Sequence, residues 1–194
     1  MSFNEMLYKD LPTKINVNDK IYDINYDYKT ILKIMIALED DNLYKEEKAY
    51  IMIKLLYKED ISEEDIPEAI KKAILFIDLG KDEEDESEEK ERIYSFTKDG
   101  NYILTGINST HHIDISEHSD MHWWKFMALF MDMNTECFFS ELIYYRKRKL
   151  EGKLTKEEKD QYKKIKNLVD LEQYTKEVQK QKEARRNFLE EFYN

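Results

Sequence analysis

Four histidines, His111, His112, His118 and His122, fall within twelve residues, with Asp114, Glu117 and Asp120 among them. Imidazoles and carboxylates at this density are the raw material of a zinc centre, which takes three or four such ligands. His118 and His122 stand four apart, a spacing that places two side chains on one helix face. Against a metal, no HExxH occurs, and Ser119 and Asp120 suit the start of a helix rather than its middle. We therefore read the group as polar loop and cap residues with one half-buried imidazole. A metal-dependent enzyme acting through the His111–His122 cluster stays as the enzymatic alternative. The one cysteine, Cys137, lies among Phe138, Phe139 and Leu142, an apolar setting that makes a thiol inert. It is expected to be buried and structural. No GxSxG marks a serine nucleophile. No two of the four glycines stand within five residues of each other, and no GK[ST] occurs, which excludes a glycine-rich phosphate cradle.

Two further groups invite a binding role. Arg146–Lys149 reads RKRK and precedes a lysine-rich stretch, the natural candidate for contact with nucleic acid. Acidic residues interleave through that stretch, so a solvated mixed-charge face is preferred. The run MHWWKFMALFMDM sets Trp123 beside Trp124. Adjacent helical residues point about 100° apart. One indole should then approach a second surface, unless the core closes over both, which is the commoner outcome for such residues.

The elements that must hold these groups are mostly helices. Ile15 and Val17 alternate with polar residues, and Ile21 and Ile24 do so less strictly. Asn18-Asp19 between them tolerates positive φ, so residues 13–25 predict a short β-hairpin. Asp27 caps a helix carrying Ile31, Leu32, Ile34, Met35 and Leu38. A second helix runs from about Lys45 to Lys58. Ser62 to Asp65 resembles a capping box, Pro67 lies in the first turn of the third helix, and Gly80 ends it. Tyr102, Ile103 and Ile107 suit a helix that Gly100 and Gly106 weaken. Ser116 or Ser119 caps the next, which carries Met121, Trp124, Phe126, Leu129 and Phe130. A short helix around Cys137–Tyr145 ends in the basic run. From Thr155, with Glu158 completing a capping box, one or two charged helices follow, bearing a thin apolar stripe and a terminal Phe188, Leu189, Phe192 cluster.

The 194 residues carry 31 basic and 42 acidic side chains, net −11. Residues 1–145 hold 16 basic and 32 acidic, net −16; residues 146–194 hold 15 and 10, net +5. Asp82–Glu91 alone carries eight carboxylates against one lysine, and such like-charge density predicts a disordered loop at about 80–92. A calcium loop would need a central glycine, which is missing. An acidic chain is a poor nucleic-acid binder. Two prolines and four glycines are too few for a sandwich or barrel. A single cysteine gives no disulfide framework, and neither a membrane span nor a secretory signal is expected. The composition points to a soluble, mostly helical, intracellular protein.

His122-Trp123-Trp124-Lys125-Phe126, then Phe139-Ser140-Glu141-Leu142, then Tyr145-Arg146, resemble the signature of the gene-product-fifteen family of long-tailed phages and prophages of Gram-positive hosts. The opening LPTKINVNDKIYDINYDY, the middle IPEAIKKAILFI and YSFTKDGNYI, and Ile113-Asp114-Ile115 fit in the same order, so the resemblance covers about residues 7–170. The family's tyrosine-glycine before the Ile-Asp step is replaced by His111-His112, which lowers the metal reading further. The last two dozen residues have no counterpart.

The resemblance implies a non-enzymatic tail assembly chaperone without a cofactor, working in the host cytoplasm. It would bind the tape measure protein and assist tail-tube polymerisation, with the tail-tube protein, a companion chaperone and copies of itself as further partners, and neither nucleic acid nor membrane. A structural tail or tail-completion component of the virion is the alternative. The expected architecture is mainly α: a helical bundle with a small N-terminal β-hairpin over residues 1–150, then a long charged C-terminal helical extension over 151–194. Candidate partner contacts are the exposed member of Trp123/Trp124 and Phe188, Leu189 and Phe192.

Overall fold

Helical periodicity dominates the chain, and the outcome is mainly α. A computed structural model describes residues 3–81 and 93–171. In chain order it contains a 3-10 turn at Phe3–Leu7, β1 (Lys14–Val17), β2 (Lys20–Asp23), α1 (Tyr28–Glu39), α2 (Lys45–Leu56), α3 (Ile66–Ile77), α4 (Phe96–His111), α5 (Trp123–Met131), α6 (Phe138–Leu150) and α7 (Lys156–Val169). No helix among the described residues is long and apolar enough to cross a membrane. Contacts gather the chain into two compact units, one from residues 3–81 and 116–131, the other from 93–115 and 132–171.

In the first unit, β1 and β2 pair antiparallel with Lys14 opposite Asp23 and Val17 opposite Lys20. Asn18 (φ 46°) and Asp19 (φ 65°) make the turn, with both central residues at positive φ as a tight hairpin requires. Ile15, Val17 and Tyr22 face the core, whereas Ile21 is 64% exposed. On β2 the inward residue is thus the tyrosine and not the isoleucine that the looser alternation suggested. Asp27 caps α1 by accepting the Thr30 N–H at 2.9 Å, and Ile31 and Ile34 are fully enclosed. Pro67 sits in the first turn of α3 as expected. Ser62 makes no side-chain cap there; its hydroxyl donates to Asp65 at 2.6 Å instead.

α3 ends at Ile77, and its C-terminal motif begins one residue before the expected glycine. Leu79 takes the left-handed conformation (φ 62°). The Gly80 N–H reaches the Leu75 carbonyl at 2.7 Å, and the Leu79 N–H reaches that of Phe76 at 3.2 Å. This is the Schellman pattern with leucine at the position glycine usually takes. Leu79 is only 5% exposed, so burial of its side chain offsets the backbone cost.

In the second unit, Ser95 caps α4 by accepting the Lys98 N–H at 3.3 Å. The helix runs through both glycines to His111. Gly106 faces the segment before α6: a Cβ there would lie 2.8 Å from Met133 Sδ and 3.3 Å from Cys137 Sγ. α6 and α7 pack around Leu142, Tyr145 and Val169, joined by Tyr102, Leu154, Tyr162, Ile165 and Leu168. Thr155 and Glu158 form the expected capping box at the start of α7, with bonds of 3.2 and 2.7 Å. The boundary expected at residue 150 therefore falls between two helices that share one core. The acidic loop at about 80–92 falls almost wholly outside the described residues, as do the extension beyond Leu171 and the Phe188, Leu189, Phe192 cluster.

Candidate functional site

In the first unit, α5 begins where three stretches of backbone converge. Residues 23–25 hydrogen-bond to 56–58, through Asn25 N–H to Leu56 O at 2.7 Å and Lys58 N–H to Asp23 O at 3.0 Å. One step on, the Trp123 N–H reaches Tyr26 O at 2.7 Å, and the Tyr28 N–H reaches Met121 O at 2.9 Å. His122 stands at this junction as the residue before the helix, and its carbonyl accepts the Phe126 N–H at 3.0 Å. Neither Ser116 nor Ser119 caps α5. The imidazole does so, with Nδ1 accepting the Trp124 N–H at 3.1 Å.

The other ring nitrogen, Nε2, lies 2.9 Å from the Pro12 carbonyl. A carbonyl only accepts, so Nε2 carries the proton and Nδ1 is bare. The ring stacks on Tyr26 at 5.1 Å and meets Phe76 edge-on at 5.8 Å. Burial holds its pKa below the ordinary histidine value, and the Pro12 bond opposes this only in part. This is a neutral, structural imidazole.

The two tryptophans face the same helix end. Trp123 Nε1 donates to Ile77 O at 2.9 Å, and Trp124 Nε1 donates to Phe76 O at 2.9 Å. Carbonyls in a helix's last turn have no partner within the helix; the Trp123 indole supplies one to Ile77, and the Trp124 indole joins the Leu79 N–H on Phe76. Trp124 also stacks on Phe76 at 6.1 Å, Trp123 stacks on Phe126 at 5.5 Å, and Phe126 lies on Tyr28 of α1 at 4.9 Å. Trp123 is 1% exposed and Trp124 2%. Neither is the exposed member that the 100° argument anticipated, because α1 and the end of α3 close over α5 from different sides. Of this signature run only Lys125 is open to solvent.

The Tyr145-Arg146 step builds a second centre, in the second unit. The Arg146 guanidinium holds Asp99 with two bonds, Nη1 to Oδ2 at 2.6 Å and Nη2 to Oδ1 at 2.8 Å. Its remaining N–H groups reach Val169 O at 2.6 Å, Leu168 O at 2.9 Å and Ile93 O at 3.1 Å. All five donors of an arginine are thereby used. Asp99 is fully enclosed and also accepts the Ser95 N–H at 2.9 Å. One side chain thus joins the start of α4, the middle of α6 and the last carbonyls of α7. The rest of the basic run is largely paired: Arg148 with Glu158 at 3.0 Å and Lys149 with Asp170 at 2.5 Å, while Lys147 is exposed.

The other histidines do not gather around His122. His111 and His112 end α4 in the second unit, His112 in the left-handed conformation (φ 54°), and His118 precedes α5 in the first. Among the described residues no three His, Cys, Asp or Glu are placed to hold a metal. Cys137, half-buried rather than buried, precedes α6 with Sγ 3.3 Å from Ser140 Oγ. An open cleft of about 290 Å³ in the first unit is lined by Ile24, Asn25, Tyr26, Asp27, Lys58, Ser119 and Asp120. Asp99 was missed by sequence reasoning. It does stand in register with Phe96, Ile103 and Ile107, all buried, and a carboxylate on such a stripe calls for a buried cation.

A family model described as Bacteriophage Gp15 protein matches residues 7–171. Neither a curated protein nor a solved structure matches the chain.

Proposed function

The chain belongs to the Bacteriophage Gp15 protein family, and from that premise we propose that it is a tail assembly chaperone that binds the tape measure protein and assists polymerisation of the tail tube around it. One observation carries the reading from family to binding role. The polar atoms of the buried signature residues are occupied in holding the fold: His122 ties Pro12 to α5, the indoles of Trp123 and Trp124 bond the last carbonyls of α3, and Arg146 bonds those of α7. These residues form a scaffold, and in this reading the binding work is done by the surface the scaffold supports.

A tape measure is a long amphipathic helix whose apolar stripes would aggregate if left bare. Single apolar side chains stand exposed on both units, among them Ile36 and Tyr50 on the first and Leu104, Tyr144 and Leu150 on the second. Such scattered groups suit weak, repeated contacts that tube subunits can displace. Net charge −11 keeps a crowded intermediate dispersed. The protein acts without a cofactor and without catalysis, in the host cytoplasm, alongside the tail-tube protein and a companion chaperone.

Mass spectrometry of assembly intermediates and finished particles tests this. The chain should accompany the tape measure in intermediates and be absent from completed tails. Stoichiometric presence in completed tails would replace the chaperone with a structural tail component.

A further inference from the structure

His122 is 7% exposed and sits where Pro12, residues 26–28 and the end of α3 meet the start of α5. Both ring nitrogens are committed, Nε2 as donor to the Pro12 carbonyl and Nδ1 as acceptor from the Trp124 N–H. Only the neutral ring can do both, because a charged imidazole has two donors and no acceptor. A proton on Nδ1 would point at an N–H that is itself a donor. It would also set a positive charge at the N-terminus of α5, the positive end of the helix dipole. Tyr26 stacks on the ring, and Phe76 and Trp124 meet it edge-on at 5.8 and 6.3 Å. The charged groups on the surrounding elements give a charged ring no counterion. Lys14 pairs with Asp23 at 3.3 Å, Asp27 accepts the Thr30 N–H at 2.9 Å, Lys58 lies over the Tyr26 ring at 6.0 Å, and Asp10, Asp78, Asp120 and Lys125 are exposed.

We propose that this junction is a proton-operated latch: one proton taken up by His122 opens the first turn of α5 and frees both indoles from α3, while the second unit stays folded. The contacts involved belong to adjacent residues. Trp124 loses its backbone cap, and its indole holds the Phe76 carbonyl; Trp123, the first residue of the helix, holds the Ile77 carbonyl. The second unit has its own centre, in which Arg146 holds Asp99 and the end of α7 and no histidine takes part. Opening bares the chain's two tryptophans, which are 1% and 2% exposed while the latch is shut. The latch thus sets when these two large apolar side chains become available for contact.

The experiment uses the full chain, whose two tryptophans give two indole N–H signals in an NMR spectrum. Their exchange with water, corrected for the intrinsic effect of pH, is followed from about pH 7.5 to about pH 5 beside the titration of the His122 ring nitrogens. Latch opening predicts that both indoles exchange about tenfold faster or more as His122 takes up its proton. It also predicts that the Arg146 Nε–H keeps its protection over the same range, and that His122→Asn removes the step. The first two readouts need no variant. Indoles that stay protected while His122 titrates, an Arg146 signal lost in step with them, the same step in His122→Asn, or a His122 that takes up no proton before the whole chain unfolds would each overturn the proposal.

Discussion

Arg146 shows how much of this protein rests on single side chains. Its five bonds replace water for a guanidinium only 4% exposed. Burying an ion pair costs nearly as much as the attraction returns, but removing one partner leaves the other stranded. Arg146→Met should therefore cost about 3–5 kcal/mol, read as a lowered urea midpoint. The double variant Arg146→Met/Asp99→Leu should cost clearly less than the two single changes together. Equal and additive losses would show that the pair is not coupled. His122 gives a second test. Its folded pKa lies below the ordinary value because burial disfavours the charged ring, so the unfolded chain binds the proton more readily. The contribution of His122 is complete above about pH 6.5 and is lost as pH falls toward the folded pKa, where protonated Nδ1 can no longer accept the Trp124 N–H. Stability curves of the native chain and His122→Asn should converge on acidification through that window. Parallel curves would refute the assignment.

At the scale of elements, two glycines with open space around them should respond in opposite directions. A Cβ at Gly100 meets nothing within 4 Å inside α4, and one at Gly152 meets nothing either, but Gly152 sits at φ +66° where α6 ends. Gly100→Ala should stabilise by about 0.5–1 kcal/mol, and Gly152→Ala should destabilise by about 1 kcal/mol. Thermal unfolding of the pair checks both signs. The contrast also marks what the sequence makes legible. The Asn18-Asp19 turn, the Asp27 cap and the Thr155–Glu158 box are local, each needing only neighbours along the chain, and they form where they were expected. The end of α3 at Leu79, the imidazole cap of α5 and the Asp99–Arg146 pair depend on partners brought together by packing. Trp123 finds its carbonyl 46 residues away, Trp124 finds its own 48 away, and Arg146 finds Asp99 47 away. For the same reason the basic run read as a solvated face, although its first member is enclosed. The histidine cluster was dense in sequence, but the chain divides it between two units.

The whole molecule presents two units, one held by buried His122, Trp123 and Trp124 and the other by buried Arg146, within a family match that spans residues 7–171. The central claim is that the surface protects a tape measure helix until tube subunits replace it. The most direct test is co-expression of the chain with the tape measure protein of the same phage, followed by fractionation and pull-down. The account predicts that the tape measure stays soluble and co-purifies with the chain, and that it aggregates when expressed alone. A tape measure that neither binds the chain nor gains solubility from it would contradict the account.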